Sequence, residues 1–511
     1  MFHETAEAHF FVSVETLLPV NDYLFKGVHL WPLIRVELHS RLINARLKEA
    51  SPETIQRLAA LGEAVLASHV LRQPDRRFEK PPPARTLAKD LPVTLFYTRF
   101  DEHYRVTLDG RYAPILDPWF DIAKEFGPAL KIEQLSDGYL STQPRRNATF
   151  SFPPPTQAMI DAARSEVVAE GWSALSSLLS LVNAFSIERF GLDLSADLPE
   201  LAGAVVTCLA YKYSFEPFLA AARPSTLFLT CFYHSAGMAI LWACHDAGVR
   251  TVEIQHCVNG ETQPPYTHWT SVPADNYAIF PDCFLTWGEI SANNINRWLK
   301  PGGREDRVVC GGRPDLSLSS ALDPSVEAIE SLCRDRDRII LVSMDYSPFA
   351  PALLAAMQQA PDDWLWLIRS HPWAASTRMK DACPDDLQEL LRREGLKNFD
   401  THLTTTAFLP TLLARIDHHV TRISSVALEA FSFDVPTTFI YPTAHDLYGT
   451  YIERHQAYYA DRPDAIIDSI AKGWSGLAPD RPKDIVTDSD TPRRVMQALL
   501  TTPFDRTGTA P

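Results

Sequence analysis

No C-x-x-C pair and no Cys/His cluster of zinc-finger spacing occurs in this chain, although it holds eight cysteines. A zinc-organised or disulfide-exchange chemistry is therefore not the starting point. Cys208, Cys231, Cys244, Cys257, Cys283, Cys310, Cys333 and Cys383 instead read as free thiols in a reducing compartment, several of them inside apolar runs such as Phe228–Leu229–Thr230–Cys231–Phe232. No G-x-G-x-x-G follows a strand and no G-x-x-x-x-G-K-[ST] is present, and Gly302–Gly303 and Gly311–Gly312 stand in other contexts. NAD chemistry and P-loop ATP chemistry are thereby disfavoured. No uninterrupted apolar run reaches the roughly 20 residues of a membrane span. Met1–Glu7 carries acids where a signal peptide carries bases. Positive charge is in deficit, with 48 Lys+Arg against 63 Asp+Glu and a net charge of -15. That argues against a general affinity for nucleic acid or anionic lipid. Neither an internal repeat nor a low-complexity block is visible. The expectation is a soluble, cytoplasmic protein, with contact at the inner face of the membrane left open.

The chain has 511 residues, 46% hydrophobic and 22% charged, an ordinary globular composition. That length exceeds one compact core and points to two or three domains. The first 70 residues read as largely helical. Ile34, Leu38 and Leu42 recur every four residues after Pro32, with Arg35, Arg41, Arg46 and Lys48 among them. Either this helix touches a membrane or partner, or it packs on the main body with its basic stems along the surface. Residues 73–92, with Pro81–Pro83, read as a linker. From Val93 the pattern is α/β. Strands are expected at Val93–Thr98, Leu130–Ile132, Thr226–Phe232, Arg250–Gln255, Phe284–Trp287 and Arg307–Cys310, with Gln143–Pro155 as loop and two or three helices over 157–222. After a break at Gly311–Pro314, strands are expected at Arg338–Ser343, Trp364–Ile368, His418–Thr421 and Thr437–Tyr441, interleaved with helices. Such alternation predicts parallel sheets. The chain from about Tyr451 reads as helical, with a polar tail over Thr501–Pro511.

Two strand ends in the second half carry the strongest chemical signal. Thr421–Arg422–Ile423–Ser424–Ser425–Val426–Ala427–Leu428–Glu429 reads as a strand end, a small hydroxyl turn and a helix with an early acid. Trp364–Ile368 runs into Arg369–Ser370–His371–Pro372. One sheet can deliver both to its carboxyl edge, where open α/β sheets bind ligands. Ser424 and Ser425 suit an anion at a helix start, and Glu429 suits ribose hydroxyls. Taken alone, the same residues also read as an N-cap and an ordinary helix acid. Pro372 restricts His371 to an extended backbone, from which the ring can donate to a phosphate that Arg369 helps to neutralise. In the first half, Thr251–Ile254 ends at Gln255–His256. A transferase needs a group to take the acceptor's proton, and His256 is the first candidate, with Glu261 and Glu253 in reserve. Tyr233–His234–Ser235 could line the same cleft.

These motifs resemble those of GT-B glycosyltransferases of the bacterial surface-polysaccharide kind. That loose grouping includes capsule polymerases, sialyl- and Kdo-transferases and teichoic-acid glycerophosphotransferases. His371–Pro372 and Ser424–Ser425 match the H-P and S-S motifs with which the CMP-sugar branch binds phosphates. Ile254–Gln255–His256–Cys257 and Trp287–Gly288 match an I-Q-H-G strand end and a later W-G, with Cys257 in place of glycine. The resemblance spans about residues 225–450. It implies two Rossmann-like domains facing a cleft: a helical region and linker at 1–92, an acceptor domain at 93–312, a nucleotide-sugar domain at 313–455 and C-terminal helices and tail at 456–511. It implies a nucleotide-sugar donor, CMP-linked by preference, a glycan or lipid-linked acceptor, no resident cofactor and no metal. A CDP-glycerol-type glycerophosphotransferase and a non-catalytic GT-B-like scaffold are the alternatives. An epimerase of the same form would need acids paired across the cleft, which the sequence does not display.

Overall fold

The computed structural model describes residues 6–48, 93–99, 105–107, 109–134, 149–259, 263, 265–300, 307–317, 322–345, 349–371 and 387–502. Glu261, Pro372, Cys383, Arg145–Arg146, the linker at 73–92 and the tail beyond 502 lie outside them.

A hairpin unforeseen in the sequence comes first. Strand β1 (Leu24–Phe25) pairs with β2 (Val28–His29) through Lys26–Gly27, both at positive φ, the geometry a two-residue turn requires. Then β3 (Val93–Thr98) begins the first sheet, and an antiparallel hairpin, β4 (Arg105–Thr107) with β5 (Gly110–Tyr112), leaves it. The sheet continues with β6 (Ala129–Glu133), β7 (Thr149–Ser151), β8 (Pro224–Thr230), β9 (Arg250–Ile254), β10 (Cys283–Thr286) and β11 (Val308–Cys310). All seven strands are parallel, in the order β11-β10-β9-β8-β3-β6-β7. β7 falls in the stretch read as loop, so that expectation is corrected. The second sheet holds β12 (Arg338–Ser343), β13 (Trp364–Arg369), β14 (Phe399–Asp400), β15 (His418–Thr421), β16 (Thr437–Phe439) and β17 (Tyr458–Tyr459), in the parallel order β14-β13-β12-β15-β16-β17. β17 lies in the stretch read as purely helical. It pairs with β16, so the second sheet runs past the boundary expected near 455.

Central strands such as β3, β8 and β13 are buried on both faces along nearly their whole length, as strands covered by helices on both sides must be. Two α/β units with flanking helices are therefore what the chain forms, the fold class expected of a GT-B chain. In each sheet the chain winds first one way and then the other. The reversal falls between β3 and β8 in the first sheet and between β12 and β15 in the second. Crevices at such reversals, at the carboxyl ends of strands, are where this architecture takes ligands.

The N-terminal helix Trp31–Lys48 packs on the body over its described side chains. Ile34, Val36 and Leu38 are buried, and so is Arg35. Arg35 pairs with Glu15 at 2.7 Å, donates to the Thr267 carbonyl at 2.8 Å and lies 3.7 Å over the Trp269 ring. The packed reading of this helix holds for that part. The helical run Gln157–Phe190 is, at 34 residues, long and apolar enough to cross a membrane by length and composition. Here it packs on helix Leu198–Ala222 and on the β1–β2 hairpin. At the other end the chain returns to the first unit. The Val486 N–H donates to the Trp287 carbonyl at 2.9 Å, and the Arg313 N–H to the Val486 carbonyl at 3.1 Å. A Cβ on Gly288 would stand 1.6 Å from the Asp484 carbonyl oxygen, so only glycine lets this strap pass. Helix Thr491–Thr501 then buries Met496 and Leu499 against Trp119, Phe120 and Phe96.

β15 carries two adjacent histidines with no exposure, His418 and His419. His418 Nε2 meets Thr438 Oγ1 at 2.7 Å, and His419 Nδ1 meets Thr437 Oγ1 at 3.2 Å. Burial pushes both imidazoles down to about 3. Below the unfolded value near 6.5 the unfolded chain binds protons that the folded chain refuses, so stability falls as pH drops from 6.5 toward 3. Each histidine should contribute up to about 1.4 kcal/mol per pH unit. Urea unfolding between pH 7 and pH 5 should show this loss, and the double variant His418→Gln, His419→Asn should reduce its slope. An unchanged slope would contradict the assignment.

Candidate active site between two sheet edges

The carboxyl end of β9 is organised by Gln255. Its Oε1 accepts the Trp287 N–H at 2.7 Å, and its carbonyl accepts Trp287 Nε1 at 2.8 Å. Its Nε2 donates to the Cys257 carbonyl at 2.8 Å and to Ser291 Oγ at 2.9 Å. The Gln-His and Trp-Gly motifs are thus one hydrogen-bonded unit, and the loop carrying His256 is fixed by it. Cys257, where a glycine was expected, is absent from the residues at positive φ. The backbone there is open to any side chain, so the substitution does not distort the loop.

His256 Nε2 and the Tyr233 hydroxyl are 3.2 Å apart. Burial, helped by the charge of Arg99, pushes His256 down to about 3, so the imidazole is neutral at physiological pH. Beside it, Glu253 is 1% exposed and accepts from the Tyr266 hydroxyl at 2.5 Å and from the Phe232 N–H at 3.3 Å. Burial raises its carboxyl to about 8. Glu253 is therefore protonated at neutral pH and is a poor reserve base.

On the second sheet the reversal is bridged by Thr421. Its hydroxyl donates to the Ser343 carbonyl of β12 at 2.8 Å and accepts the Ser424 N–H at 3.1 Å. Ser424 Oγ accepts the Val426 N–H, the first of the helix Val426–Ser432, at 3.3 Å. The Ser425 side chain makes no cap hydrogen bond to this helix. Tyr448 pins the turn by donating to the Ser424 carbonyl at 2.9 Å. Arg422 lies 4.0 Å over the Tyr441 ring, with its Nε 3.6 Å from Asp345. His371 is pushed down to about 4 by burial, which the nearby Asp345 carboxylate opposes. Arg369 is buried, and its Nη1 donates to the carbonyls of Thr404 at 2.6 Å and Ala407 at 2.9 Å. Burial, then the neighbouring charge of Arg105 on β4, lowers its proton affinity.

The two edges are joined through Arg313. Its guanidinium is bidentate to Asp315 at 2.7 Å, pairs with Glu429 at 2.8 Å and stacks 4.4 Å over Trp287. Burial works against this cation, and Asp315 and Glu429 more than restore it. Around it Val258, Trp287, Leu316, Ala427, Leu428 and Ile485 form one apolar cluster. Cys257 comes near enough to Tyr448 to influence its hydroxyl.

Of the residues expected from sequence, Ser424, Ser425 and Glu429 share one element, and Arg369 lies close enough to Glu429 to act on its charge. His371 reaches the same edge beside Asp345. His256 stands on the facing edge, and Glu261 lies outside the described residues. Arg313, Gln255 as an organiser, Thr421 and Tyr448 were missed. Arg313 had a faint signal in the glycine pair before it, whereas Tyr448 had none. Glu429, expected to be open to a ribose, is 5% exposed and gives Oε1 to Arg313. Among the described residues no group of three or more His, Cys, Asp or Glu side chains is arranged to hold a metal ion.

Removing Arg313 should leave Asp315 and Glu429 as uncompensated buried acids. Breaking such a pair costs about 3–5 kcal/mol, so Arg313→Ala should lose that much in denaturant unfolding. Glu429→Gln, which keeps an acceptor for Arg313, should lose less. Equal, small losses would contradict a joint at this position.

No family model matches the chain, and no curated protein matches it. Among solved structures it is similar to the UDP-GlcNAc 2-epimerase of Neisseria meningitidis bound to UDP-GlcNAc (12% identity, TM-score 0.45, covering 80% of this chain and 99% of that one). It is similar to CalG4, the calicheamicin glycosyltransferase (13% identity, TM-score 0.43, 81% and 95%). It is also similar to the wall teichoic acid polymerase TagF (9% identity, TM-score 0.44, 80% and 88%).

Proposed function

We propose that this chain is a glycosyltransferase that moves a sugar from a nucleotide donor to a surface glycan or glycolipid acceptor. The donor is by preference a CMP-sugar of the Kdo or sialic-acid kind. One observation carries the reading. The carboxyl ends of the two parallel sheets share one apolar cluster, to which Val258, two residues after His256, and Ile423, next to Ser424, both belong. The donor phosphate takes the Ser425 hydroxyl and His371, with Arg369 and Arg422 supplying positive charge behind them. The ribose hydroxyls take the Glu429 Oε2. The acceptor hydroxyl loses its proton to the neutral His256 imidazole as its oxygen bonds to the anomeric carbon. The bond from that carbon to the phosphate oxygen breaks, and the nucleotide leaves with the electron pair. No metal is part of this scheme, so a chelator should leave turnover unchanged. The site of action is the cytoplasm, against the membrane face where lipid-linked acceptors lie.

A second reading, a GT-B-like scaffold without activity, draws on the buried, weakly basic state of His256. Nucleotide binding separates the two. CMP should raise the melting temperature, and His371→Ala or the pair Ser424→Ala, Ser425→Ala should weaken CMP binding tenfold or more, since each lost charge-assisted hydrogen bond costs about 1.5–3 kcal/mol. His256→Ala should leave CMP affinity intact and lower turnover by about 10²–10⁴. A protein that responds to no nucleotide is a scaffold. Tight UDP binding without CMP binding would replace the donor.

A further inference from the structure

The proposed transfer leaves the reversal point of the first sheet unused, between the ends of β3 and β8. Pairing of Tyr97 with Leu229 brings Arg99 level with Cys231, and pairing of Thr230 with Ile254 brings His256 level with Phe232. Beyond β8 the chain turns sharply. Cys231 takes a φ of 56°. A Cβ at Gly237 would stand 2.5 Å from the Phe232 carbonyl oxygen. The turn fixes His234 as the cap of helix Ser235–Asp246, its Nδ1 accepting the Gly237 N–H at 3.0 Å.

That bond decides the tautomer. Burial, then Arg99, holds the imidazole far below its usual proton affinity, so it is neutral. With Nδ1 accepting, the single ring proton sits on Nε2. Nε2 is shielded from solvent and meets no hydrogen-bond acceptor. A donor left unpaired in a buried place is unfavourable and calls for an explanation. Arg99 sets the local sign, since its charge is felt at His234, His256, Tyr97 and Cys231. No carboxylate opposes it from β9, because Glu253 is protonated. The carboxylate of Glu37 approaches from helix Trp31–Lys48, 3.5 Å from Ser235 Oγ.

We propose that Arg99 and the Nε2–H of His234 form a subsite for the carboxylate of an acidic sugar, the sugar of the donor whose phosphate lies at Ser425. The donor's identity rests on the transferase reading above, while the subsite rests on the reversal point and the unpaired N–H. A guanidinium with one directed N–H suits a carboxylate. A neutral sugar would leave the buried N–H unfilled, the kind of penalty by which polar sites reject analogues. A carboxylate there also offsets the Arg99 charge acting on His256. The acidic donor thus strengthens the base that its own transfer uses.

Two pairs probe the carboxylate in calorimetry on the full chain: UDP-glucuronate against UDP-glucose, which differ only in the carboxylate, and CMP-N-acetylneuraminate against CMP, which differ in the whole acidic sugar. The wild type should prefer the acidic member about tenfold or more, the size of one charge-assisted contact. Arg99→Gln and His234→Asn should abolish the preference without weakening the neutral member. Asn at 234 keeps an acceptor for the Gly237 N–H and so keeps the cap, and unchanged melting temperatures would show that the fold survives. A preference confined to the UDP pair keeps the subsite and overturns the CMP assignment. Equal binding within a pair, or a preference that survives both variants, overturns the subsite and leaves the nucleotide reading standing. Binding of none of the four overturns both.

Discussion

Arg313 is the cation on which the cleft depends. It leaves the last strand of the first sheet through Gly311–Gly312, stacks on Trp287 and binds Glu429 on the helix that follows Ser424–Ser425. Trp287 in turn is tied to Gln255, which fixes the loop of His256. One guanidinium therefore links the organiser of the first edge to the helix that follows the Ser424–Ser425 turn of the second. A buried charge of this kind adds little net stability against an apolar substitute, yet its loss is costly because its partners stay behind. The strap at Asp484–Val486 closes the same junction from outside.

The groups around the cleft share an electrostatic logic. Burial neutralises those that could compete with a substrate. His234, His256 and His371 lose their protons, and Glu253 keeps its own. Asp315 and Glu429 more than restore the charge of Arg313, whereas burial and then the charge of Arg105 lower the proton affinity of Arg369. The result is a crevice with cationic points and neutral donors, in a protein whose overall charge is -15. Net charge argues against nucleic acid as a general partner, but it carries no information about this local sign.

Much of the fold was legible because central parallel strands are continuous apolar runs. Trp364–Ile368 and the Ile339–Val342 run of Arg338–Ser343 read as strands and are strands. The edge strands β7, β14 and β17 were not, since two or three residues have no period to detect. The turn at Ser424–Ser425 was visible because hydroxyls at a strand-to-helix junction form a local signal. The Arg313–Glu429 pair was not, because it joins residues far apart in sequence with no common motif. Gln255 and Trp287 were noticed separately, and only their hydrogen bonds show why they occur together. Cys257 looked like a defect in the sequence, and the ordinary backbone there removes the difficulty.

The central claim is that one nucleotide-sugar spans the two edges. A crystal structure of the full chain with CMP tests it most directly. The account predicts a phosphate oxygen within hydrogen-bond distance of Ser425 Oγ and the His371 ring, with the ribose against Glu429 Oε2 and the open end of the nucleotide facing His256. A nucleotide seated elsewhere, or a cleft that stays empty at saturating CMP, would contradict it.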